Sequence, residues 1–137
     1  MGQPLVFPNV ERVIVAFLDA RPELDGVAVG IDLPPGFDGT QRAVRVSRVG
    51  GVFIEDDLRD NALTRIDAYG PDKTAAHSVA SLVRGVLPLV VQQRLADGAV
   101  ISDVTETEGP YWFPDSRNAN ASRYYMRHRF AVAVRAT

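Results

Sequence analysis

The chain has 137 residues, 46% hydrophobic and 23% charged, which supports one core and not two. Its formal net charge of −2 gives no bulk attraction to nucleic acid or to an anionic membrane. It contains no cysteine, which excludes disulfides, thiolate nucleophiles and cysteine-ligated zinc.

The N-terminal stretch Met1–Pro8 lacks a basic region followed by an apolar segment, and the densest apolar run, Val86–Val91, is interrupted by Pro88. A soluble protein, made and used in the cytoplasm, is the expectation. Asn9 can cap a helix ending near Ala20, in which Val10, Val13, Ile14, Phe17 and Leu18 follow helical spacing and Glu11, Arg12 and Asp19 take the wet side. Gly26–Ile31 reads as a short strand, Leu33–Thr40 as a loop rich in Pro and Gly, and Ala43–Val49 as a second strand closed by Gly50-Gly51.

Past the acidic residues Glu55, Asp56 and Asp57, a third strand runs over Ala62–Tyr69. Gly70-Pro71-Asp72 turns into the longest helix, whose apolar stripe is Ala76, Val79, Leu82, Val83, Val86 and Leu87; Pro88 kinks it, and a second piece runs to Leu95. Ala96-Asp97-Gly98 stops it. Ala99–Thr107 is a fourth strand, Gly109–Ser122 a long insertion, and Arg123–Arg135 the last strand. The order predicts a single α+β domain over 1–137, with a four- or five-stranded mixed or antiparallel sheet and two main helices packed on one face.

The last strand alternates with period two. Tyr124, Met126, His128, Phe130, Val132 and Val134 form one face; Tyr125, Arg127, Arg129, Ala131, Ala133 and Arg135 form the other. In the same register Arg45, Arg65 and Asp67 share that second face with Leu63 and Tyr69. Arg mixed with Tyr is a composition that interfaces favour, and a solvated face is the alternative reading. Tyr111, Trp112 and Phe113, between Pro110 and Pro114, make either a satellite core or an exposed anchor for a partner.

Catalytic constellations are absent from the pattern. His77 and His128 lack metal-ligand spacing, and the glycines at 36, 39, 50 and 51 match no phosphate-binding loop. Glu55, Asp56, Asp57 and Asp60 could gather a hard cation but lack the EF-hand pattern, so they read as a solvated acidic loop. Asn120-Ala121-Ser122 is a glycosylation sequon only in form. No catalytic residue, cofactor or metal is assigned.

The run Leu63-Thr64-Arg65-Ile66-Asp67-Ala68-Tyr69-Gly70, followed by the alanine-rich helix Asp72–Leu87, resembles the centre of the tail terminator proteins of long-tailed bacteriophages. So does the aromatic loop leading into Ser122-Arg123-Tyr124-Tyr125 and a long strand ending in Val134-Arg135. The resemblance implies a non-enzymatic virion subunit that forms a ring, typically a hexamer, on the head-proximal end of the tail tube. Such a ring stops tube polymerisation and offers a surface for joining the head. Its partners would be other copies of itself, the tail tube protein and a head-completion or connector protein, with assembly in the host cytoplasm and no membrane or specific nucleic acid. Arg45, Arg65, Asp67, Tyr69, Tyr111, Trp112, Phe113, Tyr125, Arg127 and Arg129 are the expected interface residues. A head–tail connector or neck component is the nearest alternative, and a small metal-dependent enzyme using the acidic loop a more distant one.

Overall fold

Residues 3–136 are described by a computed structural model, which contains a mixed five-stranded sheet, two α-helices and a small two-stranded sheet. This is the α+β class expected from the segment order. The strands are β1 (Leu5–Val6), β2 (Ala28–Gly30), β3 (Ala43–Ile54), β4 (Arg59–Gly70), β5 (Ile101–Trp112), β6 (Ser122–Ala133) and β7 (Arg135–Ala136). The large sheet has the order β2-β3-β4-β6-β5; β2 runs parallel to β3 and every other pair is antiparallel. β1 and β7 pair with each other, so Arg135, expected on the face of the last strand, belongs to the small sheet instead.

The helix α1 (Val10–Asp19) begins where Asn9 accepts a hydrogen bond from the Arg12 backbone N–H at 3.2 Å, and it buries Val10, Val13, Ile14, Phe17 and Leu18 as its spacing predicts. The helix α2 (Lys73–Val86) is capped in the same way by Asp72, which accepts from the Ala75 N–H at 2.8 Å. Gly70 makes the preceding turn possible: a Cβ there would collide with the backbone of Ala75 and Ala76. The buried arc of α2 is Ala76, Val79, Ala80 and Val83, continuing through Val86 to Leu87. Leu82, expected in the stripe, is 39% exposed. It lies about 100° around the helix from the centre of that arc, at the rim of the buried face.

Gly50-Gly51 does not close β3. The strand continues to Ile54 through a bulge at which the register shifts between Arg48 and Gly50. Gly51 takes φ 113°, and a Cβ there would overlap the Asn61 carbonyl oxygen, so the pair permits the bulge and does not end the strand. The predicted insertion over Gly109–Ser122 is likewise shorter, because β5 extends to Trp112. An edge strand can absorb Gly109-Pro110 in the register irregularity between Glu108 and Tyr111, since Pro need not donate to a neighbour there.

One hydrophobic cluster joins the inward residues of both helices to Val44 and Val46 of β3, Ala62, Ile66 and Ala68 of β4, and Met126, Phe130 and Val132 of β6. His128 shares that parity and is 3% exposed. Its Nε2 lies 3.8 Å from a Glu106 carboxylate oxygen, and its Nδ1 has no hydrogen-bond partner. Burial holds the imidazole pKa below its ordinary value, against an opposing pull from Glu106. The unfolded chain therefore binds the proton more readily, and stability declines as pH falls through the ordinary histidine value of 6.5.

Two outcomes check this packing. Phe130→Ala should cost about 3–5 kcal/mol and Leu82→Ala less than about 1 kcal/mol by urea denaturation, because only the first leaves a closed cavity. Stability measured between pH 7 and pH 5 should fall for the parent chain, and His128→Gln should flatten that slope.

Candidate assembly surface on the polar sheet face

From Ile66 to Gly70 every residue of β4 is buried, including Asp67 at 1% exposure and Tyr69 at 0%. The apolar cluster covers one face of this stretch. The other is covered by charge and aromatic rings, placed by register: Arg45 lies opposite Asp67, which lies opposite Tyr125, which lies opposite Tyr111. The next row is Ser47, Arg65, Arg127 and Glu108.

Asp67 is held by two guanidiniums. Arg45 donates to its Oδ2 from Nε at 3.1 Å and Nη2 at 2.9 Å, and Arg65 donates from Nε to Oδ1 at 2.9 Å. Arg45 Nη2 also donates to the Tyr69 hydroxyl at 3.0 Å, and that hydroxyl donates to Asp115 Oδ2 at 2.6 Å. Asp115 is 4% exposed and further receives the Asn118 amide at 2.9 Å and the Arg117 N–H at 3.2 Å, with Arg123 Nη1 3.4 Å away. Arg123, 7% exposed, donates from Nε to the Phe113 carbonyl at 2.9 Å. The result is a continuous network from β3 across β4 and β6 to the turn after β5.

The electrostatics follow from burial. Burial pushes the Tyr69 phenol above its ordinary value, and its hydrogen bond to Asp115 adds to the shift, so the proton stays and the hydroxyl remains a donor. Burial alone would raise the Asp115 carboxyl. The hydrogen bonds from Tyr69 and Asn118 and the charge of Arg123 outweigh it and hold the carboxyl below its ordinary range.

Rings extend the platform. Arg65 lies over Tyr125 at 4.9 Å, Arg123 over Phe113 at 5.6 Å, and Tyr111 packs against Tyr125 at 5.3 Å with the rings inclined at 51°. The aromatic triplet thus divides between the two alternatives read from sequence, because strand alternation reaches it. Tyr111 and Phe113, 52% and 51% exposed, stand on the polar face. Trp112 turns to the opposite face, against Tyr124 at 5.3 Å and beneath Lys73 Nζ at 4.9 Å.

Of the residues singled out from sequence, Arg45, Arg65, Tyr111, Phe113 and Tyr125 form one surface; Asp67 and Tyr69, expected at the interface, are buried beneath it because the arginines and Asp115 take up their polar atoms, and Trp112 lies outside it. Arg127 and Arg129 share the face further along β6: Arg127 reaches Glu108 only at 3.5 Å and its Nε has no hydrogen-bond partner, and Arg129 is exposed. Sequence reading missed Asp115, Arg117, Asn118 and Arg123. Arg123 was detectable, since it has the parity of Tyr125; the turn residues were not, because nothing local brings Asp115 to Tyr69. Asp60, grouped in sequence with the acidic loop, is 2% exposed and held by both Arg48 Nη atoms at 2.6 and 2.7 Å, whereas Glu55, Asp56 and Asp57 are exposed. Among the described residues no group of three or more His, Cys, Asp or Glu could hold a metal ion.

This sheet face combines fixed guanidinium–carboxylate pairs with half-exposed rings, a mixture of Arg and aromatic residues that protein interfaces are enriched in. The chain belongs to the phage tail termination protein family, whose model matches residues 6–118. A solved chain from the virion of a native gene transfer agent particle shares the fold, with a TM-score of 0.66 at 18% identity over 90% of this chain and 93% of that one. Comparison with curated proteins gives no match. The protein is therefore a structural phage tail protein.

Asp115→Asn should destabilise the chain by about 1–3 kcal/mol at pH 7, because it removes the charge that Tyr69 and Arg123 address in a buried site. A carboxyl with a depressed pKa contributes stability above its ordinary value of 3.8 and loses it as pH falls through the lower folded value. The difference between parent and variant, measured by urea denaturation, should hold steady down to about pH 4 and shrink below it.

Proposed function

We propose that the chain, as one domain over 1–137, assembles into a ring, typically of six copies, on the head-proximal end of the tail tube. There it stops tube polymerisation and presents the surface to which a head-completion or connector protein joins. Membership in the tail termination family carries this reading. With both helices taken to lie on the apolar face of the sheet, the opposite face offers Arg45, Arg65, Tyr125, Arg127 and Arg129 to contact between subunits, and the buried Asp67 and Tyr69 support it from beneath. No catalytic step or cofactor belongs to this role, and assembly takes place in the host cytoplasm on finished tubes.

The polar face supports the reading for a physical reason. Arg127 sits directly between Arg65 and Glu108, its buried Nε 3.5 Å from the Glu108 carboxylate but without a hydrogen bond, and Arg129 has no ion pair among the described residues. Unspent guanidinium donors on a central strand suit an acidic surface brought by another subunit.

Arg127→Glu and Arg129→Glu should leave the fold intact, as judged by circular dichroism, and reduce ring formation in sedimentation and complementation of tail assembly. Arg12→Glu on the wet side of α1 should behave as the parent. Equal assembly in all three would remove these two residues from the interface, and association with heads but not with tubes would place the chain in the neck.

A further inference from the structure

The β3–β4 hairpin carries opposite chemistry at its two ends. At the tip, Glu55–Asp57 forms a single 3-10 turn whose three carboxylates are exposed and make no ion pair among the described residues. Leu58 follows in the left-handed region, at φ 47° and ψ 52°, with its side chain 42% exposed. A leucine rarely adopts that conformation, and here it is locked: its N–H donates to the Glu55 carbonyl at 3.1 Å, and its carbonyl accepts from Val134 N–H at 2.8 Å. The tip is thus a rigid acidic turn presenting one apolar side chain.

At the other end lies a cleft of about 430 Å³, lined by Arg45, Arg65, Arg117, Arg123, Asp115 and Phe113 among others. Guanidiniums outnumber carboxylates there. Arg45 and Arg65 spend Nε and Nη2 on Asp67 and Tyr69, and their Nη1 groups have no protein acceptor among the described residues. Arg117 has no side-chain ion pair among them either, and the half-exposed ring of Phe113 forms the apolar wall.

Cleft and tip complement each other in charge and in apolar character, yet no chain can satisfy its own. From Arg59 beside the tip to Asp67 beside the cleft, β4 spans about 26 Å, at roughly 3.3 Å per residue. We propose that the cleft receives the Glu55–Leu58 turn of a second copy of this chain, with its carboxylates on the free guanidinium nitrogens of Arg65 and Arg117 and Leu58 against Phe113. The contact joins two different patches of the same molecule, the type of contact that builds a ring when its rotation closes on itself. It rests on the ring reading above and names the surfaces that would build it.

Because the chain contains no cysteine, an introduced pair reports on this contact alone. Asp56 and Ser116 are both exposed. The double variant D56C/S116C, mildly oxidised at high protein concentration, should give a ladder of disulfide-linked oligomers that either single variant lacks. In light scattering, Arg117→Glu should weaken association about tenfold, and D56R/R117E should restore it. Oligomers of D56C/S116C that oxidation fails to link, or a charge exchange without rescue, would overturn this contact and leave the ring reading standing. Monomers at every concentration, with finished tail tubes present as well as without them, and no ladder would overturn both.

Discussion

The Asp67 carboxylate, shared between Arg45 and Arg65 in the middle of the sheet, is the constraint on which the polar face depends. A carboxylate at 1% exposure is tolerated only when its lone pairs are filled. The two arginines fill them from adjacent positions, one across the β3–β4 ladder and one two residues along the same strand. In doing so they surrender part of their own freedom, which turns two flexible side chains into a fixed platform. Tyr69 and Asp115 extend the arrangement to the turn after β5, so the conformation of residues 113–121 is tied to the centre of the sheet.

That tie explains why an apparently irregular segment is well defined. Between Trp112 and Ser122 the chain makes few backbone bonds to a neighbouring strand, the Phe113 and Asp115 N–H groups donating to Arg123 and Ala121 carbonyls. What holds it is the buried Asp115 carboxylate at its centre, addressed by Tyr69, Asn118 and Arg123. A surface built in this way keeps its shape before a partner arrives, which lowers the conformational cost of association.

The apolar side of the sheet follows a simpler rule. Period-two strands and period-3.6 helices have matched apolar faces, and burying them against one another accounts for the main cluster. His128 is the exception within it. It occupies a position that alternation assigns to the core, and burial keeps it neutral at the expense of stability in acid.

The sequence by itself determined the helices, the inward faces of β4 and β6 and of the first half of β3, the family resemblance and the mixed Arg and Tyr face, because each is written in local periodicity or in a continuous run of residues. The cap at Asn9 and the alternation of Arg123–Arg135 needed no tertiary information. The tertiary structure alone decided that Gly50-Gly51 is a bulge, that Leu82 stands at the rim of its helix, and that Tyr111 and Trp112 point to opposite faces. It alone joined Asp115 to Tyr69, 46 residues apart, and paired Asp60 with Arg48. The reason is common to all of these: periodicity states which side of an element is apolar, whereas the partner of a polar group depends on which strands become neighbours and in what register.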